Sequence, residues 1–165
     1  MSFTRKEYPE EASGKSYTPA EAKVKIAAYC AYQERCQKDV RNKLYGYGLS
    51  SSDVESLLTA MILEGFLNEE RYAKAFTRGK FRLKKWGRLR IKKELKYKVN
   101  DTCVNIGLKE IDEQEYWETL VYLAEKKWNR LKEPDPYQRK MKLYQFLTFK
   151  GYENDLVQSV LERLE

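Results

Sequence analysis

Apolar residues recur three or four positions apart along most of the chain, which is the spacing of one buried helix face. No stretch alternates apolar and polar residues for long enough to require a β-strand. Residues 20–133 contain no proline, because the four prolines are at positions 9, 19, 134 and 136. Proline breaks helix interiors, so this long proline-free stretch permits continuous helical structure. The pattern predicts an all-α protein.

Capping signals divide the chain into separate helices. Thr18-Pro19 places a capping side chain before a proline in the first helical position, and Glu21 follows three residues after the cap. The same cap-to-Glu spacing recurs at Ser52 and Asp112; Asn68 opens another helix, and Gly151 closes the helix that starts at Asp135-Pro136. The predicted helices span 19–35, 37–45, 52–64, 68–85, 87–97, 101–108, 113–131, 136–150 and 153–164.

Nine helices fall into three sets of three, and the apolar positions repeat with them. Val40 and Leu44, Ile91 and Leu95, and Leu143 and Leu147 are apolar pairs one helical turn apart, and successive pairs are separated by 51 and then 52 positions. Helices containing Val54, Val104 and Leu156 follow at similar offsets. A near-constant period predicts tandem three-helix repeats forming an elongated molecule that can curve. The predicted segments are a flexible N-terminal tail at 1–17 and repeats at 18–66, 67–111 and 112–165.

Composition narrows the classes of function. The chain has 165 residues and no histidine, which removes the commonest general base and zinc ligand. We find no nucleophile beside a base and no metal-ligand spacing, so we predict no catalytic residue, no cofactor and no metal. Three cysteines without a CxxC pair suit packing thiols in the reducing cytoplasm. No apolar run approaches the roughly 20 residues that span a bilayer, and the N-terminus lacks a signal-peptide core.

Positive charge is concentrated in one segment. Between Arg71 and Lys98 there are thirteen Lys or Arg residues and one acid, Glu94, which gives +12. Because the whole chain carries +7, the remaining residues sum to −5. Tyr72, Phe76, Gly79, Leu83 and Trp86 follow helical spacing and predict a core-facing stripe, with Gly79 at a close helix contact. A basic stripe runs beside it.

The basic stripe continues into the next predicted helix at Arg88, Lys92 and Lys96. Like charges one turn apart oppose helix formation by a few tenths of a kcal/mol per pair, so a polyanionic partner explains them better than a solvated face. DNA phosphate and an acidic protein groove both remain open. Trp86 and Tyr97 could stack on bases, although the spacing places Trp86 more naturally in the core. The predicted binding residues are Arg71, Lys74, Arg78, Arg82, Lys85, Arg88, Arg90, Lys92, Lys93, Lys96 and Lys150.

Three local motifs resemble those of the RecX family, in the family's order. Residues 65–73, GFLNEERYA, resemble its signature between the first two repeats. Residues 86–95, WGRLRIKKEL, resemble its aromatic-Gly motif ending in Glu-Leu, and residues 142–152, KLYQFLTFKGY, resemble the ending of its third repeat. The second repeat departs from the family pattern because Lys98-Val99 lacks the usual glycine.

The resemblance implies a non-enzymatic modulator of RecA. Such a protein lodges in the groove of the RecA–DNA filament and mostly inhibits ATP hydrolysis, strand exchange and co-protease action by RecA. The implied partners are RecA and, through its phosphates, DNA; the chain would be a cytoplasmic monomer. Arg71 has a second interpretation, an internal ion pair, because it follows two acids. Lys150 is included as the analogous basic position of the third repeat.

A stand-alone DNA-binding protein, architectural or transcriptional, is the alternative. That class reads base edges with Arg, Asn or Gln on a recognition helix. The stripe here consists of Lys and Arg without such a set. Sequence-specific binding to naked duplex without an effect on RecA would favour this alternative.

Overall fold

The computed structural model describes residues 16–164, which form nine α-helices and no β-strand. The all-helical prediction is confirmed. The helices are α1 Pro19–Tyr32, α2 Gln37–Gly46, α3 Ser51–Leu63, α4 Glu69–Arg82, α5 Arg88–Leu95, α6 Asp101–Leu108, α7 Glu113–Arg130, α8 Pro136–Lys150 and α9 Asn154–Arg163.

Side-chain caps begin several of these helices at the residues that the sequence predicts. Thr18, Asn68 and Asp112 each accept the backbone N–H of the third residue along. The predicted cap of α3 is wrong by two residues. Ser50, and not Ser52, has the extended backbone of a cap and accepts the N–H of Asp53 at 3.3 Å. Because Ser50, Ser51 and Ser52 are consecutive, the sequence alone does not show which serine caps the helix.

The chain divides into two compact units, Met1–Tyr72 and Ala73–Glu165, and the boundary lies within α4. Each unit has its own apolar core. The predicted boundaries of the three repeats, and of the tail, stay predictions.

In the first unit, α1, α2 and α3 pack around Ile26, Val40, Leu44 and other buried apolar residues. Tyr17 joins this core: its ring meets that of Tyr47 edge-on at 5.3 Å between centroids, and its N–H donates to the Tyr47 carbonyl. Tyr17 therefore packs although the prediction assigned it to the tail. Residues 1–15 lie outside the described residues.

In the second unit, α5 packs with α6, and α7, α8 and α9 pack with one another. The apolar pairs that define the predicted period are fully buried in this unit. They are Ile91 and Leu95 in α5 and Leu143 and Leu147 in α8. The last helix, α9, contains Leu156 as predicted, but Leu156 is not its most buried residue. Val157 is fully buried there, whereas Leu156 is only half-buried.

The predicted core-facing stripe of α4 is only partly right, because Tyr72 is buried but Phe76 and Trp86 are only half-buried. Leu83 is 67% exposed, and the buried residues of the helix are instead Ala73, Thr77 and Phe81. The reason is a close approach by α6: a Cβ at Gly107 would lie 2.8 Å from the Ala73 carbonyl oxygen. Gly79, by contrast, would have open space around a Cβ. The buried face of α4 therefore lies beside the predicted stripe and not along it.

Cys30, Cys36 and Cys103 are buried, and the described part of the chain contains no disulfide. Across residues 16–164, no group of three or more His, Cys, Asp or Glu side chains is arranged to hold a metal ion. No helix in the same range is both long enough and apolar enough to cross a bilayer.

Candidate polyanion-binding surface

The start of α5 is held against the end of α8 by backbone contacts. The N–H of Gly87 donates to the Lys150 carbonyl at 2.8 Å, and the N–H of Leu89 donates to the Gly151 carbonyl at 3.0 Å. A Cβ at Gly87 would lie 2.2 Å from the carbonyl carbon of Gly151, so a side chain does not fit there. Gly151 itself has φ +100°, a left-handed conformation that favours glycine. Two glycines therefore bring the basic residues of α5 and α8 together.

Arg88 connects α5 to two other helices. Its guanidinium pairs with Glu113 at 2.6 Å and with Glu153 at 3.1 Å, and it lies 4.1 Å from the centroid of the Tyr116 ring. The Tyr116 hydroxyl donates to Glu153 at 2.6 Å and accepts the N–H of Arg88. Burial and the hydrogen bond to Glu153 raise the pKa of Tyr116. We call these four residues the Arg88 network.

The predicted basic stripe of α4 has acidic partners within the chain. Three of its arginines form ion pairs: Arg71 with Glu34 at 2.6 Å, Arg78 with Glu110 at 3.0 Å, and Arg82 with Glu115 at 3.8 Å. Arg71 also donates to the carbonyls of Gly65 and Phe66. The internal ion pair considered for Arg71 is thus present, but its partner comes from the loop after α1 and not from the adjacent acids.

The predicted set therefore divides in two. Arg71, Arg78, Arg82 and Arg88 form ion pairs within the chain. The side chains of the other predicted residues make no ion pair with any carboxylate of residues 16–164, and we call them uncompensated. They are Lys74, Lys85, Arg90, Lys92, Lys93, Lys96 and Lys150. All of these lie in the second unit. Lys85 has φ +58°, and its carbonyl accepts the Tyr152 hydroxyl at 2.8 Å, so its backbone also has a structural role.

Three of the uncompensated lysines lie together at the end of α5, where Lys92 and Lys93 belong to the last turn and Lys96 is the residue that follows the helix. Lys92 and Lys96 are one helical turn apart, Lys93 is adjacent, and all three are exposed, while Ile91 and Leu95 face the core. We call Lys92, Lys93 and Lys96 the outer lysine face. A polyanion meeting this face displaces no carboxylate partner.

Two other uncompensated cations, Arg90 and Lys150, lie beside aromatic rings where α5 meets α8. The Arg90 guanidinium lies 4.0 Å from the Trp86 ring centroid and 5.1 Å from that of Phe149. Lys150 donates through Nζ to the Lys84 carbonyl at 3.1 Å. Burial and the nearby charges of Arg90 and Lys84 lower the pKa of Lys150. We call these five residues the Arg90 cluster.

Sequence reasoning missed two members of this cluster, Phe149 and Lys84. The sequence pattern could have identified Phe149 as a surface residue, since this aromatic residue beside Lys150 lies off the apolar stripe of Leu143 and Leu147. In the structure Phe149 is 73% exposed. The core position predicted for Trp86 is only partly right, because the ring is half-buried and lies 4.7 Å from Lys80 Nζ.

Two profiles of known three-helix domains match the chain in order. The profile described as RecX, second three-helix domain, matches residues 68–98, and the one described as RecX, third three-helix domain, matches residues 113–161. Regulatory protein RecX of Clostridium perfringens (strain 13) is 35% identical over 133 residues, which is 79% of this chain and 62% of that protein. The chain belongs to the RecX family.

Further RecX relatives agree with this assignment. Regulatory protein RecX of Bacillus cereus (strain B4264) is 26% identical over 145 residues, 87% of this chain and 54% of that protein. The chain thus spans somewhat more than half the length of these RecX relatives. The crystal structure of RecX from Lactobacillus salivarius has the same fold, with a TM-score of 0.80 at 24% identity over 88% of this chain and 96% of that one. A second RecX crystal structure gives a TM-score of 0.79 over 87% of this chain and 73% of the other.

Proposed function

We propose that the chain binds RecA and the RecA–DNA filament and mostly inhibits ATP hydrolysis, strand exchange and co-protease action by RecA. It does so by binding, without catalysis of its own, as a cytoplasmic monomer. The outer lysine face and the Arg90 cluster make the main contact, and Lys74 and Lys85 add to it. The ion-paired arginines Arg71, Arg78, Arg82 and Arg88 mainly hold the fold.

Membership of the RecX family supports the choice of partner, because the family resemblance implies a modulator of RecA and the relatives carry the name regulatory protein RecX. The observation that carries the proposed contact is the outer lysine face. Three exposed lysines at the end of one short helix, none neutralised by a carboxylate of the described chain, repel one another in the free protein. A phosphate backbone or an acidic protein surface relieves that repulsion, and binding releases counterions.

The DNA-dependent ATPase of RecA tests the proposal. Wild-type protein should lower the rate, and a variant with Lys92→Glu, Lys93→Glu and Lys96→Glu should lose most of the inhibition. A control carries the same charge change elsewhere in the second unit, at the exposed residues Lys109, Lys126 and Arg130. Each triple variant changes three positive charges to negative and so takes the net charge from +7 to +1.

The control separates a local contact from a general loss of positive charge. If both triple variants lose inhibition equally, net charge and not the outer lysine face governs binding. If wild-type protein leaves the ATPase unchanged but binds a particular naked duplex sequence, the alternative of a stand-alone DNA-binding protein is right.

A further inference from the structure

We propose that the Arg90 cluster is a binding site for one nucleotide unit of single-stranded nucleic acid, in which the base stacks on Phe149 and the phosphate lies against Arg90, Lys84 and Lys150. This inference deepens the proposed function, because it assigns part of the nucleic-acid contact to named residues. It also predicts binding to a naked strand, which can be measured without RecA.

The first argument is the state of Phe149. Its ring is 73% exposed although it follows the buried Leu147 by only two positions, so it contributes little to the core of the second unit. One contact of the ring is with the guanidinium of Arg90, 5.1 Å from the centroid. An exposed ring beside a cation offers a platform for a nucleobase, since every base has a π-face that stacks on aromatic side chains.

The second argument is the charge around that ring. Arg90 and Lys150 belong to different helices, and the backbone hydrogen bonds between Gly87, Lys150 and Gly151 keep these helices together. Lys84 lies close enough for its charge to lower the pKa of Lys150, and Lys150 Nζ bonds to its carbonyl. No carboxylate of the described residues pairs with any of these three cations. The site is thus preorganised with excess positive charge before any ligand arrives.

The third argument concerns the kind of polyanion. An acidic peptide would use the cations but has no use for an exposed ring 5.1 Å from the guanidinium. Duplex DNA presents its phosphates but keeps its bases stacked inside the helix. A single strand offers both a phosphate and an accessible base face within one residue, which matches a ring bordered by cations. Contact through stacking and phosphate carries no sequence preference of its own.

The experiment compares two labelled strands with the same number of phosphates. One is a fluorescein-labelled oligothymidylate of about 16 nucleotides, a length that one binding site can cover. The other is an abasic strand of the same length. Fluorescence anisotropy should show that wild-type protein binds oligothymidylate about tenfold more tightly than the abasic strand, near the low end of what one base–aromatic stack contributes.

Variants assign the difference to Phe149. Phe149→Ala should bind both strands alike, at the wild-type affinity for the abasic strand, and Phe149→Tyr should restore the preference. Lys84→Gln and Lys150→Gln should weaken binding to both strands and reduce the dependence of log K on log salt by about one each. The control is Tyr122→Ala, which removes a 53% exposed ring near Lys126 on α7 and should change nothing.

The outcomes separate this inference from the proposed function. Equal binding of both strands by wild-type protein overturns the site, as does an equal loss for both strands in Phe149→Ala or a matching loss in Tyr122→Ala. Inhibition of the RecA ATPase together with any of those results leaves the proposed function standing and removes only the stacking site. Base-dependent binding without any effect on RecA supports the site and refutes the proposed function.

Discussion

Replacing Arg88 tests whether this arginine stabilises the second unit or contacts a partner. The Nη2–Glu153 arm is partly buried, with both side chains 24% exposed, and a hydrogen bond between charged groups contributes about 1.5–3 kcal/mol there. The Glu113 arm is worth at most about 1 kcal/mol, because the Glu113 side chain is 79% exposed. The contact with the Tyr116 ring adds about 0.5–1 kcal/mol. Since these contributions overlap, we expect Arg88→Ala to cost about 2–3 kcal/mol.

Urea denaturation followed by tryptophan fluorescence measures this cost in the relevant unit. All three tryptophans of the chain, at positions 86, 117 and 128, lie in the second unit. Glu113→Gln should cost less than about 0.5 kcal/mol, and a double-mutant cycle between Arg88→Ala and Glu153→Gln should give a coupling of about 1–2 kcal/mol. Lys92→Ala, which removes an exposed cation from the same helix, should stay within about 0.5 kcal/mol of wild type. An Arg88→Ala variant as stable as Lys92→Ala would refute the structural role of Arg88.

Three further predictions concern packing in the two units. Gly87→Ala should destabilise the second unit by at least about 2 kcal/mol, because the added Cβ meets backbone at 2.2 Å; an unchanged urea midpoint would contradict this approach of α5 to α8. Thr77→Val should stabilise the second unit by about 1 kcal/mol, since the fully buried Thr77 hydroxyl has no hydrogen-bond partner among residues 16–164. A lower urea midpoint for this variant would reveal a hydrogen bond that the hydroxyl does make. Burial raises the pKa of the Cys30 thiol to about 11. Alkylation of Cys30 in the native chain, followed by mass spectrometry, should therefore be slow at pH 8 and accelerate towards pH 11. Rapid modification at pH 8 would show an accessible thiolate.

Helix positions could be predicted from the sequence wherever a local signal ends or begins them. The predicted bounds of α6 and α8 equal the observed ones, because an Asn100 cap opens α6 and Asp135-Pro136 and Gly151 delimit α8. The predicted end of α4 is three residues too late. The positive φ of Lys85 and the hydrogen bond from the Tyr152 hydroxyl to its carbonyl bend the chain after Arg82, and the second of these comes from 67 residues away.

The contacts of the candidate site could be predicted even less well than the helix ends, because they depend on residues far apart in the sequence. Composition and spacing found the basic segment, but they could not show which cations have acidic partners. Arg88 pairs with Glu153 across 65 residues and Arg78 pairs with Glu110 across 32, so neither pair leaves a local pattern. The Arg90 cluster likewise depends on α5 meeting α8, and Phe149 becomes part of a basic surface only through that contact.

Direct binding to RecA–DNA filaments tests most closely the claim that uncompensated cations make the contact. Two variants each lose three positive charges: Lys92→Gln with Lys93→Gln and Lys96→Gln, and Arg71→Gln with Arg78→Gln and Arg82→Gln. In anisotropy titrations of labelled protein against preformed filaments, the lysine variant should bind at least about tenfold more weakly, since three charge contacts of about 0.5 kcal/mol each amount to that factor. The arginine variant, if folded by circular dichroism, should bind within about threefold of wild type. The reverse order of affinities, with the arginine variant the weaker binder, would contradict the account.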